Sequence, residues 1–384
     1  MDYLKRREVS QVLTRRELFR RGAEVGVGGA SLAFLAAACG GGGDTAGGTQ
    51  ATGSGTSAGA PAALSGRLDF LNYPNWIGEG EYAAFKKLHP DLTIKEDSSG
   101  AGSTSAIATR IQADPNAFDF LLLGKAGVPQ LEASDILADI DFAKVPNIKN
   151  IPDQFREAYP WGIPTDYGKI GFAYRKDLVN ERPTTWKDFF DLAPKYSGKV
   201  ILLDVLEDTM GNTLIMLGHD GNTKVESEIN EARDALIDIK PHVQAIIATD
   251  VAKPLINGGA VIGMDWDFDI ALAQQKQSNI EWVAPQEGLM AYIEGWVAVN
   301  TSDQLEAVHA FMNFHLQPEQ YADFVNTTGT AYLMPSATPL IKKEISKNPV
   351  LAFDEATFDR VTFEAFKGEA LGTWTQAWNQ VKSA

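Results

Sequence analysis

Beyond residue 66 the chain alternates short apolar runs with stretches whose apolar residues recur every three or four positions. Residues 67–73 and 92–96 read as strands, and 80–88 reads as a helix with Tyr82, Phe85 and Leu88 on one side. The unit then repeats: 103–113 is helical with Ser or Thr available as caps, 118–123 is a fully apolar strand, and 128–133 opens another helix. Further strands are expected at 170–174, 199–203, 260–265, 280–284 and 295–299, with helices at 185–192, 208–217, 225–239, 268–277 and 302–316. Strands separated by helices predict an α/β protein built on parallel sheets covered on both faces. In such sheets ligands bind beyond the carboxyl ends of the strands.

The first 65 residues follow a different pattern. Arg15-Arg16 lies in a charged segment of twin-arginine type, and residues 25–38 form a small, apolar run too short to span a bilayer. Leu35-Ala36-Ala37-Ala38-Cys39-Gly40 resembles a bacterial lipobox, with Ala36 where a larger aliphatic residue is preferred. Residues 1–38 are therefore expected to be a signal peptide and Cys39 a lipidation site; cleavage by an ordinary signal peptidase and retention as a signal anchor are the alternatives. Residues 39–65 are a Gly, Ser and Ala-rich tether with too little apolar surface to fold. Gly55-Thr56-Ser57-Ala58-Gly59 inside it matches the serine-hydrolase pattern, but it lacks the strand before and the helix after that this chemistry requires.

The formal net charge is −16, and without residues 1–38 the balance becomes 27 basic against 46 acidic residues, near −19. Such a surface disfavours nucleic acid and suits cationic ligands, although acidity also serves solubility. Cys39 is the single cysteine, so the folded body holds itself together without disulfides. A body of this length fits one or two α/β domains.

At the expected strand ends one chemistry recurs. Tyr73-Pro74-Asn75-Trp76 follows the first strand; Asp204-Val205-Leu206-Glu207, Asp265-Trp266-Asp267 and Tyr292-Ile293-Glu294 stand at others. Each has a structural alternative, since Asp204 and Asp208 are plausible helix N-caps and a Trp at a strand end often packs in the rim. Carboxylates together with aromatic faces suit an organic cation, because rings attract ammonium groups by about 0.5–2 kcal/mol and acids give charge-assisted hydrogen bonds.

The order Asn75-Trp76, Thr185-Trp186-Lys187-Asp188, Tyr196-Ser197-Gly198-Lys199, Leu202-Leu203-Asp204-x-x-Glu207, Leu217-Gly218-x-x-Gly221-Asn222-Thr223, Gly263-Met264-x-Trp266 and Pro285-x-Glu287-Gly288 resembles the spermidine/putrescine-binding proteins, the solute-binding components of polyamine ABC importers. The resemblance covers nearly all of residues 67–384. It implies a periplasmic-binding-protein-like (type II) fold, two α/β lobes joined by a hinge with the ligand cleft between them. Residues 66–169 and 298–345 would form lobe 1, and 170–297 and 346–384 lobe 2, with crossings near 167–171 and 295–297. The family's first ring then falls on Trp76, its Asp and Glu pair on Asp204 and Glu207, and its second Trp on Trp266. A further family Trp and Asp fall on Tyr292 and Glu294, which keep ring and acid while changing size and reach.

Other positions depart from the family. Gly124 and Ala126, with Lys125 between them, replace a Ser and a Tyr; Glu79 replaces a Tyr; Glu364 is a weak match for a late Gln. Asp265, beside Trp266, is a further candidate. The resemblance implies an exported lipoprotein facing the periplasm or cell exterior, monomeric, with no cofactor or metal, whose partners are a polyamine-like cation, the permease subunits of an ABC transporter and the membrane through its lipid. A different small cargo of the same fold, such as an amino acid derivative, a sugar or ferric iron, is the alternative. A glycosidase built on Asp204 with Glu207, or Asp265 with Glu294, is a weaker one. Asp265, Asp267 and Asp269 have calcium-loop spacing, but Ile270 and Lys276 occupy the positions of the required glycine and bidentate acid.

Overall fold

The computed structural model describes residues 63–384. The expected twin-arginine segment, Cys39 and nearly all of the tether lie outside the described residues.

The strands are β1 (Gly66–Leu71), β2 (Leu92–Asp97), β3 (Phe120–Gly124), β4 (Leu137–Ala138), β5 (Ile163–Arg175), β6 (Val200–Leu203), β7 (Val243–Ile247), β8 (Ile262–Trp266), β9 (Ile280–Val283), β10 (Leu289–Val299) and β11 (Val361–Phe363). They are ordered β2-β1-β3-β10-β5-β8-β6-β7, with β4 and β11 on β10 and β9 on β5. The expected helices are present within a few residues of their predicted bounds. Pattern alone missed β7 and the helices Pro318–Thr328 and Leu371–Ser383.

The sheet is mixed, which corrects the expectation of parallel pairing throughout. β1 pairs with β2 and β3, and β6 with β7 and β8, in parallel; β10 runs antiparallel to β3 and β5, and β5 antiparallel to β8 and β9. The reason lies in the two long central strands. β5, buried along all thirteen residues, pairs with β10 through Lys169 and with β8 from Ile170 onward. It thus runs out of one packed region into another, and β10 returns beside it in the opposite direction. β10 pairs with β11 over Leu289–Ala291 and with β3 over Glu294–Ala298. Its change of partner lies a few residues before the crossing expected near 295–297.

Two separate hydrophobic cores flank this seam, giving the two α/β lobes. In the first, Phe70 stacks on Phe120 at 4.0 Å and Trp296 on Phe311 at 5.3 Å. In the second, Phe172 packs against Trp186 and Phe189. The helix Trp186–Leu192 that carries these rings starts with a reciprocal capping box between Thr185 and Asp188. That box satisfies backbone N–H groups which the first helical turn otherwise leaves unpaired.

Candidate ligand-binding site

The site is assembled where β5 and β10 run side by side. Antiparallel register sets Glu294 opposite Asp166 and Tyr292 opposite Gly168. Because side chains two residues apart share a face of a strand, all four lie on one face of the sheet. Gly168 is required there: a Cβ at that position would come within 2.3 Å of the Tyr292 ring, so the ring lies directly on the glycine backbone.

Asp166 and Glu294 form a buried pair of acids. The Asp166 carboxylate accepts from Thr165 Oγ1 at 2.8 Å, while its second oxygen makes no hydrogen bond of normal geometry within the protein. Burial pushes Asp166 up to about 6, opposed by Thr165, the Trp76 indole and the charge of His315. Burial raises Glu294 well above the ordinary range; the charge of Asp166 adds to this, and a hydrogen bond from Tyr73 opposes it. The charge of Asp166 on the neighbouring strand thus makes ionisation of the buried Glu294 more costly.

Trp76 comes to this pair from the turn that follows β1. Asn75 adopts a left-handed conformation with φ of 61°, which a short polar side chain tolerates, and Asn72 Nδ2 donates to the Trp76 carbonyl at 2.9 Å. The half-buried Trp76 indole N–H has no hydrogen-bond acceptor of normal geometry. Its ring meets Phe268 edge-on at 5.7 Å, and Phe268 stacks at 6.0 Å on Trp266. These three rings form a continuous aromatic wall running from one lobe to the other.

Trp266 leads to a second pair of acids. Its Nε1 donates to Asp208 Oδ2 at 3.0 Å, and Asp208 Oδ1 has no hydrogen bond of normal geometry. The Glu364 carboxyl lies against Asp208. Burial pushes Asp208 up to about 6 and, with the charge of Asp208 added, Glu364 well above the ordinary range. Glu207, half-buried on the same helix (Leu206–Met216), adds its charge to both.

The structure therefore gathers Trp76, Glu207, Trp266, Tyr292, Glu294 and Glu364 around the seam, and it moves others away. Asp204 is turned toward the C-terminal helix, where it accepts from Trp378 Nε1 at 3.2 Å and Lys382 Nζ at 3.1 Å. Asp208, one helical turn later, lies instead at the Trp266 indole. The Asp265 side chain is fully buried, capped by the Trp266 backbone N–H at 2.8 Å and raised by burial and the nearby Asp269. On a strand it faces opposite to its neighbour Trp266. Glu79 is exposed beside the helix Pro318–Thr328, its backbone N–H donating to Thr327 Oγ1. Lys125 is half-buried with its ammonium 5.4 Å above the Phe363 ring, and burial lowers its affinity for a proton.

Sequence reasoning missed Asp166 and Phe268, and read Asp208 only as a cap. Asp267, named there only within the Asp265-Trp266-Asp267 cluster and the incomplete calcium-loop spacing, is a buried acid pushed up to about 6 by burial and 3.5 Å from the Lys169 ammonium. Buried polar atoms without a hydrogen bond of normal geometry cluster in this region: one oxygen each of Asp166 and Asp208, the Trp76 N–H, the Tyr292 hydroxyl and Thr330 Oγ1. Two acid pairs separated by aromatic faces present hydrogen-bond acceptors at two ends and apolar surface between them.

Residues 82–352 match the family model described as bacterial extracellular solute-binding protein. The chain is 24% identical over 323 residues to the spermidine/putrescine-binding periplasmic protein of Escherichia coli, covering 82% of this chain and 91% of that one. It is 21% identical over 331 residues to spermidine/putrescine-binding periplasmic protein 1 of Haemophilus influenzae, covering 85% and 91%. Its fold is similar to that of the spermidine/putrescine ABC transporter substrate-binding protein PotD of Streptococcus pneumoniae, with a TM-score of 0.73, 22% identity and coverage of 83% and 99%. The same architecture, at a TM-score of 0.58, 17% identity and coverage of 83% and 97%, occurs in the binding protein AgtB of A. tumefacien, solved with agropinic acid. The fold thus accommodates different cargoes, and the site has to decide between them.

Proposed function

We propose that this chain, which belongs to the family of bacterial extracellular solute-binding proteins, captures a short polyamine between its lobes and hands it to the permease of an ABC importer. The observation that carries the reading is the pairing of acids, Asp166 with Glu294 and Asp208 with Glu364, at two ends of an aromatic wall. Burial and the neighbouring charge raise the acids of each pair above their ordinary range, and an ammonium group offsets both effects. It donates to the carboxylate oxygens and relieves the repulsion between the paired acids. Trp76, Phe268, Trp266 and Tyr292 supply faces for the methylene chain and for cation–π attraction. The relatives, which are spermidine/putrescine-binding and putrescine-binding periplasmic proteins, support the same ligand class.

Calorimetric titration of residues 65–384 with putrescine, spermidine and spermine tests this. Binding is expected, and with it proton release. Asp166 and Asp208 stand near 6 in the free protein and must be ionised to hold an ammonium, so affinity rises with pH from about 5 to 7. At pH 6 the apparent enthalpy should change with the ionisation enthalpy of the buffer. No heat with any of the three at millimolar concentration sinks the polyamine reading.

Closure of one lobe on the other would accompany binding, with β5 and β10 as the crossings, because only the closed form lets ligand contact both acid pairs. Tethering at the membrane through a lipid on Cys39 completes the reading, supported by the lipobox-like Leu35-Ala36-Ala37-Ala38-Cys39-Gly40. Mass spectrometry of the protein from its native membrane should find the mature N-terminus at Cys39 with acyl mass added. An unmodified Cys39, or cleavage elsewhere, removes the anchor.

A further inference from the structure

Trp76 and Asp166 come from distant stretches of chain, yet one helix is tied to both. Trp76 opens the irregular loop 76–80, and the helix Pro318–Thr328 grips that loop at three points. Asp323 Oδ2 accepts from the Gly80 backbone N–H at 2.8 Å, Thr327 Oγ1 accepts from the Glu79 N–H at 3.1 Å, and the Trp76 ring meets Phe324 edge-on at 6.1 Å. The approach is close enough to require a glycine. A Cβ on Gly78 would come within 2.6 Å of Asp323 Oδ2 and 3.1 Å of the Phe324 backbone nitrogen. On the same helix the buried Tyr321 donates its hydroxyl to the carbonyl of Thr165, the neighbour of Asp166 on β5, at 2.6 Å, and accepts from the Leu333 N–H at 2.9 Å. A hydrogen-bonded helix keeps its side chains at fixed spacing, so the Trp76 loop and the Asp166 strand are both set from one rigid rod. A ring already held where the ligand needs it spares the cost of ordering a loop on binding.

We propose that Asp323, with Thr327 beside it, is a positioning residue of the site: it fixes the Trp76 loop to the helix that also holds the Asp166 strand, and so presets the ring for the ligand without touching the ligand itself. This rests on the polyamine reading above, in which Trp76 is a ligand face. Asp323 also carries a charge, and an acid draws cations at long range whatever its hydrogen bonds. The two roles separate by substitution: asparagine removes the charge and keeps an oxygen for Gly80, whereas alanine removes both.

The test is calorimetric titration of the full chain with putrescine, for wild type, Asp323→Ala, Asp323→Asn, Trp76→Ala and the double variant Asp323→Ala with Trp76→Ala, with folding checked by circular dichroism. Asp323→Ala is expected to raise the Kd about fivefold to tenfold, the scale of one hydrogen bond, and Asp323→Asn to stay within about twofold of wild type. In the Trp76→Ala background the Asp323→Ala change is expected to cost less than about twofold, because the ring it positions is gone. Equal fold-changes in the two backgrounds, or an asparagine variant as weak as the alanine variant, overturn the positioning role and leave the polyamine reading standing. No heat with putrescine in the wild type overturns both. Thr327→Val, which removes the Glu79 tie at an exposed position, is read in the same cycle and decides the matter if Asp323→Ala does not fold.

Discussion

Replacing Glu294 by glutamine is expected to weaken polyamine binding by about tenfold to a hundredfold while leaving the fold intact. The side chain is buried on β10 opposite Asp166, within hydrogen-bond reach of Tyr73. Glutamine keeps the shape and an oxygen for Tyr73 and removes only the charge. A hydrogen bond to a charged group is worth about 1.5–3 kcal/mol, which gives that range of affinity. The free variant should melt no lower than wild type, because a carboxyl that is costly to ionise has been made neutral. Its proton release on binding should also shrink, since one of the two paired acids no longer titrates. Unchanged affinity for putrescine and spermidine would remove Glu294 from the site and break the first acid pair as an explanation.

The largest effect on stability is expected from Gly162→Ala, just ahead of β5. A Cβ there would lie 2.0 Å from the Trp296 carbonyl oxygen and 2.9 Å from its carbon, both backbone atoms of β10 that a rotamer change cannot move. Relief requires the two central strands to part locally, and overpacking of this kind costs about 3 kcal/mol at the upper end of its usual range. Gly102→Ala is the control: its Cβ would meet nothing within 4 Å. Urea unfolding of both variants measures the difference. A midpoint for Gly162→Ala equal to that of Gly102→Ala would mean that the seam is more yielding than its geometry implies.

The sequence made the outer strands and helices readable because local pattern produces them. The helix Val128–Ala133 matches its expected bounds, and β2 ends one residue beyond its expected bound. The seam was harder to read. Within β5, Pro164, Asp166, Gly168 and Lys169 interrupt the apolar run, so only its second half reads as a strand. Two of those residues, Asp166 and Gly168, carry or accommodate the candidate site.

The candidate acids show a matching limit. Trp76, Trp266, Tyr292 and Glu294 were recoverable because ring and acid recur at strand ends and in a family-like order. Asp166 was not, because its significance is its register opposite Glu294, 128 positions later in the chain. Asp204 shows the converse. It stands at the end of β6 as a ligand acid would, but Trp378 and Lys382 from the C-terminal helix claim its carboxylate. Nothing local distinguishes it from Asp208, four residues on.

Phe268 belongs by sequence to the segment that follows β8, yet its ring packs against the core of the opposite lobe and touches Trp76. Parting the lobes would expose both rings to water whether or not a ligand is present, and that exposure is unfavourable in proportion to the apolar area uncovered. The ring therefore acts as a weak spring-latch with its own bias toward the shut position. Part of the work of holding the jaws together is then done by the protein itself, and a cargo needs to add only the remainder to be retained.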